Sequence, residues 1–170
     1  EEMYDKYTDI SIYLSYKNKM NTKEIATKFY DAFASADVET LKKLYDEKLI
    51  FNDEIFVGLS YEETIKMWSS LLIGNKDMSI KYTIKEYSEN KVKVEWIADY
   101  LFSASRRKVR NVIIANMEIE NGKIIKHTDE FNFYKWSKMA LGTPGLLLGW
   151  TSFFRNKVRK GAYEKLGFNK

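Results

Sequence analysis

The second half of the chain constrains the fold most. Four strand-like runs follow one another, at residues 78–87, 91–103, 108–119 and 123–134. Turn-like breaks at Ser88-Glu89-Asn90 and Glu120-Asn121-Gly122 separate the first from the second and the third from the fourth. The second break carries Asn-Gly, the pair that a tight hairpin favours. Strands joined by such short breaks predict an antiparallel meander.

The first half reads as helices. Asn21 is an N-cap with Glu24 three residues on, and Ile25, Phe29 and Phe33 recur every fourth residue. Asp37 caps a short second helix with Val38, Leu41, Leu44 and Tyr45 inward. Residues 49–51 form a short strand that leads into Asn52-Asp53-Glu54. Ser60 and Glu63 make a second capping box, ahead of a stripe of Ile65, Trp68 and Leu72 that Gly74-Asn75 ends. Helices followed by a meander give an α+β fold, N-terminal helices packed on a curved, mostly antiparallel sheet. We expect residues 1–20 to be an extension, 21–141 the domain, and 142–170 an apolar and basic C-terminal extension.

Strand alternation sorts the side chains. On the last strand the even positions Lys126, Thr128, Glu130 and Asn132 suit water, and the odd positions Ile125, His127, Asp129, Phe131 and Phe133 suit a core. The same test places Val109, Asn111, Ile113, Ala115 and Met117 inward, with Val92, Val94, Trp96, Ala98, Tyr100 and Phe102 beside them. Met78, Ile80, Tyr82 and Ile84 complete that face. The result is an apolar concave surface with few polar groups, the character of a small-molecule pocket. Tyr30, Phe33, Trp68, Trp96 and Phe131 would wall it, and Tyr82, Tyr100, Asn111, His127 and Asp129 would be its polar handles. His127 and Asp129 stand i, i+2 on one face, about 6.5–7 Å apart at Cα. A carboxylate so placed can orient an imidazole for proton transfer, or both can be core groups satisfied by a Tyr or Trp. Asp53 is a second base or, preferably, a turn residue bonding local amides.

Several chemistries are excluded. The chain has no cysteine and one histidine, so neither thiolate nor His-rich metal sites can form. No Gly-rich phosphate loop, G-x-S-x-G elbow or zinc helix occurs. We expect no metal and no cofactor. Seven basic residues and one acid follow Trp136, so that segment carries +6 of a net +4 and the preceding 136 residues −2. Basicity confined to a tail is poor ground for nucleic-acid binding. With no run of 18 apolar residues and no signal peptide, a cytoplasmic location is the default.

The tail begins at Pro144, the sole proline. Leu146, Leu147, Leu148, Trp150, Phe153 and Phe154 are expected to pack, with Arg155, Lys157, Arg159 and Lys160 on the exposed side of a terminal helix. Packing on the domain or a partner subunit is preferred here to contact with an anionic membrane. On the outer sheet face Ile97, Leu101, Val112 and Ile114 form an apolar patch that a homodimer would cover.

The stretches FYDAFASADVETLKKLY, FNDEIF, MWSSL, RNVIIANMEI, HTDEFNFYKWSKMALG and GLLLGWTSFFRNKVRKGA resemble the nuclear transport factor 2-like superfamily. The likeness is to its SnoaL-like, ketosteroid-isomerase-related branch and spans about residues 24–162. It implies a cone of three N-terminal helices packed on a strongly bent, mostly antiparallel sheet, often dimeric, with a deep pocket. Its members include isomerases, polyketide cyclases, epoxide hydrolases and dehydratases beside non-catalytic binders, so fold does not fix function. By position His127 and Asp129 match an H-x-D motif, Asp53 an F-x-D aspartate, Trp68 a Met-Trp pair, and Asn111 a facing polar residue. The chain departs from the pattern in having Glu54 for Pro, Asn132 for Asp, and Ser105-Arg106-Arg107 for a Thr-Gly-Arg turn. The resemblance makes the candidate function an isomerase, cyclase or dehydratase on a small apolar or carbonyl-bearing molecule. Asp129 or His127 would remove a proton beside a carbonyl, and Asn111 or a tyrosine would stabilise the enolate. The alternatives are a non-catalytic binder of an apolar ligand and a dimeric interaction module.

Overall fold

The computed structural model describes residues 20–74 and 77–168. The expected N-terminal extension, Met20 apart, and Asn75 of the expected helix stop lie outside the described residues. In chain order the elements are α1 (Thr22–Ala34), α2 (Val38–Leu44), β1 (Tyr45–Asn52), α3 (Tyr61–Gly74), β2 (Ser79–Tyr87), β3 (Lys91–Phe102), β4 (Arg107–Glu120), β5 (Lys123–Phe131), α4 (Phe133–Leu141), α5 (Thr143–Leu148) and α6 (Ser152–Leu166).

Local chemistry explains the element starts. Asn21 Oδ1 accepts from the Glu24 N–H at 2.9 Å, and the Glu24 carboxylate accepts from the Asn21 N–H at 3.0 Å. Ser60 and Glu63 repeat this reciprocal cap at α3. At the β4–β5 turn Asn121 and Gly122 take φ of 49° and 78°, the left-handed pair that a two-residue hairpin needs.

The strands form one curved, unclosed sheet in the order β1-β5-β4-β3-β2, with β1 parallel to β5 and the other pairs antiparallel. Helix α1 lays Ile25, Phe29 and Phe33 onto the inner face, where Val94, Ala115, Met117 and Ile124 are buried. A second cluster of Ile55, Val109, Phe133, Trp136, Ala140 and Phe154 joins the sheet to the C-terminal helices.

Three expectations are corrected. The last strand stops at Phe131, because Asn132 accepts from the Lys135 N–H at 2.8 Å and caps α4. Asp and Asn are equally good caps, so this departure from the resembled pattern costs little. Ile124, rather than Ile125, is in the core, because the β4–β5 register slips by one residue there. In the tail, Phe154 is buried but Leu146, Leu147, Leu148, Trp150 and Phe153 are exposed. The arginines of α6 turn inward instead. Arg155 pairs with Glu54 at 2.9 Å, and Arg159 donates to the Ile55 carbonyl at 2.8 Å. Tyr163 clamps the same loop through both backbone groups of Val57. Among the described residues no helix is long and apolar enough to cross a membrane.

Candidate functional site

Helices α3, α4 and α6 close the open end of the bent sheet over a cavity of about 590 Å³. Its wall is mostly apolar, with Trp68, Met67 and Leu71 from α3, Trp96, Ala98 and Ile113 from the sheet, and Trp136 from α4. Asp53, Tyr100, Asn111 and Asp129 bring polar atoms into it. Phe131 also lines it, whereas Tyr30, Phe33, Tyr82 and His127 do not. Tyr30 and Phe33 pack behind the Trp96 indole. Tyr82 stacks on Tyr30 and donates to the Asp31 carboxylate at 2.7 Å.

His127 stands one layer behind the cavity. Its ring is buried among Phe29, Phe51 and Trp68. The Trp68 indole N–H donates to the Tyr45 hydroxyl at 3.1 Å, and that hydroxyl lies 2.7 Å from His127 Nδ1. His127 Nε2 lies 3.0 Å from Asp129 Oδ1. The donors count out consistently in one direction. Tyr45 accepts the indole N–H and gives its own proton to Nδ1, so the imidazole carries its proton on Nε2 and donates it to Asp129. Trp96 Nε1 donates to the same oxygen at 3.3 Å. Oδ2 of Asp129 is left without a partner among the described residues, and it is not one of the fully enclosed atoms. A carboxylate held by two N–H donors on one oxygen therefore offers the other to the cavity.

Asp53 arrives near it through the parallel pair. Phe51 is in register with His127 and Asn52 with Thr128, and Asp53 follows where β1 ends, near enough for the charge of Asp129 to act on its carboxyl. Asp53 is the turn residue that the sequence favoured, and it also reaches the cavity. Oδ1 accepts from the Ile55 N–H at 2.6 Å and from the Phe56 N–H, which makes the turn, while the side chain lines the cavity. Burial pushes its carboxyl up to about 7, against the two amide donors, and the charges of Asp129 and Glu54 add to the rise. The Asp53 side chain keeps some accessible surface, which tempers the burial. The Tyr100 hydroxyl accepts from Trp136 Nε1 at 2.9 Å, which leaves its own proton free to donate. Its pKa is raised by burial, with a smaller push from the charge of Asp53.

Asn111 is on the cavity face, nine-tenths buried, with no side-chain partner among the described residues. It lies four residues along β4 from Ala115, the partner of Asp129. That is about 13 Å of strand, so Asn111 meets a different part of any ligand. Sequence reading missed the roof. Lys157, Val158, Gly161, Ala162, Lys165 and Leu166 of α6 all line the cavity. They recur at helical spacing, with small residues in the middle, a signal hidden by the basic residues between them. Among the described residues no group of His, Cys, Asp and Glu could hold a metal ion.

Comparison with known proteins gives the following. The SnoaL-like domain family matches residues 26–127. No curated protein matches the sequence. A solved protein of Catenulispora acidiphila with a ketosteroid isomerase-like fold, in complex with trimethylamine, is similar at TM-score 0.61 and 14% identity, covering 78% of this chain and 99% of its own. IdmH of Streptomyces antibioticus, a candidate polyketide cyclase, is similar at TM-score 0.58 and 16% identity, with 74% and 98% covered. An LEH-like epoxide hydrolase of M. tuberculosis is similar at TM-score 0.55 and 17% identity, with 72% and 90% covered. Such identities establish likeness of fold alone.

Proposed function

The chain belongs to the SnoaL-like domain family, and within that fold we propose that it is an acid–base enzyme for a small, largely apolar carbonyl compound. The observation that carries this reading is the pair Asp53 and Asp129, which line one cavity in unlike environments, with the charge of Asp129 acting on Asp53. Two carboxyls whose surroundings differ can divide into acid and base. Asp129, with both N–H donors on Oδ1, is the base through Oδ2. Asp53, with its carboxyl pushed up to about 7, keeps a proton near neutrality and is the acid.

In the proposed step Asp129 Oδ2 takes a proton from the carbon beside a carbonyl. The C–H electron pair moves onto the carbonyl oxygen, which takes a proton or a hydrogen bond from Asp53, with Tyr100 as a second donor. Return of the proton from Asp129 to another carbon, as the enol oxygen gives its proton back to Asp53, completes an isomerisation; departure of a β-hydroxyl as water, carrying the proton that Asp129 took, completes a dehydration. His127 is a positioning residue, since it reaches the cavity only through Asp129. Asn111 and the rings hold the remainder of the ligand. Neighbours named for epoxide hydrolysis and polyketide cyclisation support a chemistry on small molecules. A homodimer through the outer face belongs to this reading, since Val112 is exposed there and Ile97, Leu101 and Ile114 are half-buried.

The apolar wall also favours a second reading, a binding protein without chemistry. One experiment separates the two. With 2-tetralone, an apolar ketone with acidic α-protons, in deuterated buffer, NMR should show protein-accelerated exchange. Asp129→Asn should slow it by about 10²–10⁴-fold. If 2-tetralone binds but no exchange is accelerated, the binding reading replaces the enzyme.

A further inference from the structure

The second surface of interest lies outside the cavity, where α5 inverts the usual arrangement of an amphipathic helix. Its inward side is glycine. Gly145 is buried against the Ser137 carbonyl and Gly149 against the Ser137 hydroxyl, so a Cβ at either would stand far inside contact distance. Ser137 is fully buried, and its one hydroxyl proton is shared between the Tyr134 carbonyl at 3.0 Å and the Gly145 carbonyl at 3.3 Å. Pressed to α4 on that side, α5 turns its leucines outward. Leu147 is 63% exposed, and Trp150 and Phe153 are each 73% exposed. Leu146 and Leu148 are exposed with them. The Trp150 indole donates to the Leu147 carbonyl at 3.1 Å, which keeps the ring beside the leucines. Side chains of this size do not stay in water in such a cluster without a use.

Positive charge borders the cluster. Arg107, Lys108, Lys135 and Lys138 surround a shallow depression beside α5. The Arg107 guanidinium lies against Gly142, the residue before α5, and donates to the Met139 carbonyl at 2.8 Å. Lys138 sits over the Tyr134 ring, whose hydroxyl donates to the Leu146 carbonyl. None of these four cations has a carboxylate partner among the described residues. A second copy meeting this patch face to face would oppose four cations with four cations. Exposed leucines and a tryptophan, bordered by unpaired Lys and Arg, fit the headgroup layer of an anionic bilayer.

We propose that α5 and the first turn of α6 dock on anionic lipid surfaces, inserting Leu146, Leu147, Trp150 and Phe153, with Arg107, Lys108, Lys135 and Lys138 on the headgroups.

Flotation of the full chain tests this. It should float with vesicles of equal parts phosphatidylcholine and phosphatidylglycerol, and about tenfold less with phosphatidylcholine alone or at high salt. The exposed pair Leu147→Glu and Trp150→Glu should abolish flotation with an unchanged far-ultraviolet circular dichroism spectrum. Lys135→Glu with Lys138→Glu should weaken it about tenfold. No flotation, or flotation that both double variants retain, overturns the proposal. A dimer seen by light scattering that Leu147→Glu and Trp150→Glu dissociate, without vesicle binding, gives the patch to a second copy instead.

Discussion

Asp53→Asn tests the division of labour between the two carboxyls without knowledge of the substrate. The folded protein holds the Asp53 carboxyl at about 7, whereas an unfolded chain holds an aspartate near 3.9. Below pH ~4 both states are protonated and the group is neutral to stability. Between pH ~4 and ~7 the folded protein keeps a proton that the unfolded chain has released. Unfolding then releases a proton, and stability falls by about 1.4 kcal/mol per pH unit. Above pH ~7 both states are ionised and the loss is complete. About three units give a ceiling of about 4 kcal/mol, and water reaching Asp53 through the cavity reduces this to about 2–4 kcal/mol.

Asparagine does not titrate, yet its carbonyl can still accept from the Ile55 and Phe56 N–H groups. The change in those bonds is a constant offset, so the information is in how the difference between variant and parent moves with pH. Urea denaturation of both proteins from pH ~4 to ~8 should show Asp53→Asn gaining on the parent by about 2–4 kcal/mol, with most of the gain before pH ~7. A difference that stays flat means Asp53 titrates as an ordinary aspartate and is no acid at neutral pH. A difference that moves the other way means the two amide donors outweigh burial. Either result removes the assignment of Asp53 as acid.

Tyr45→Phe should destabilise by about 2–4 kcal/mol in urea denaturation, because one hydroxyl satisfies both the Trp68 indole and His127 Nδ1 in a closed core. A loss below about 1 kcal/mol would mean the Trp68–Tyr45–His127 relay is not formed. Arg106→Gly should stabilise by about 1 kcal/mol, read as a raised melting temperature, because Arg106 holds φ at 58° in the β3–β4 turn, a conformation that glycine adopts freely.

What the sequence discloses here depends on the range of the interaction. Asn21, Asp37 and Ser60 act on amides within three residues, so their caps are readable. Asn121-Gly122 is readable because two positive φ values in a row have few residue solutions. The departure at Arg106 falls where the resembled turn has glycine, and the positive φ explains why glycine suits it. The tail is different. Its leucines and phenylalanines announce burial, but the close approach of α5 to α4 is set by Gly145 and Gly149, which have no side chain to register in an apolar pattern. The arginines of α6 read as solvent residues, yet Glu54 and the Ile55 carbonyl, about a hundred positions away, take them.

The carboxylate pair shows the same limit in sharper form. Strand parity over residues 127–131 correctly put His127 and Asp129 inward, and the Ile124-Ile125 doublet concealed how. Ile124 is fully buried in the core, and from it strict alternation would send Lys126 and Thr128 inward. The register slip between Glu118 and Ile119 absorbs one residue and reverses the parity. Parallel pairing with β1 slips as well, between Tyr45 and Ile50, before Phe51 meets His127. Both slips come before the point where β1 hands on to Asp53 and β5 reaches Asp129. Each adds unpaired backbone, and neither is implied by propensity. Alternation read from either end of β5 holds on one side of the slip and fails on the other, so the inward set of that strand follows from its register and not from its composition.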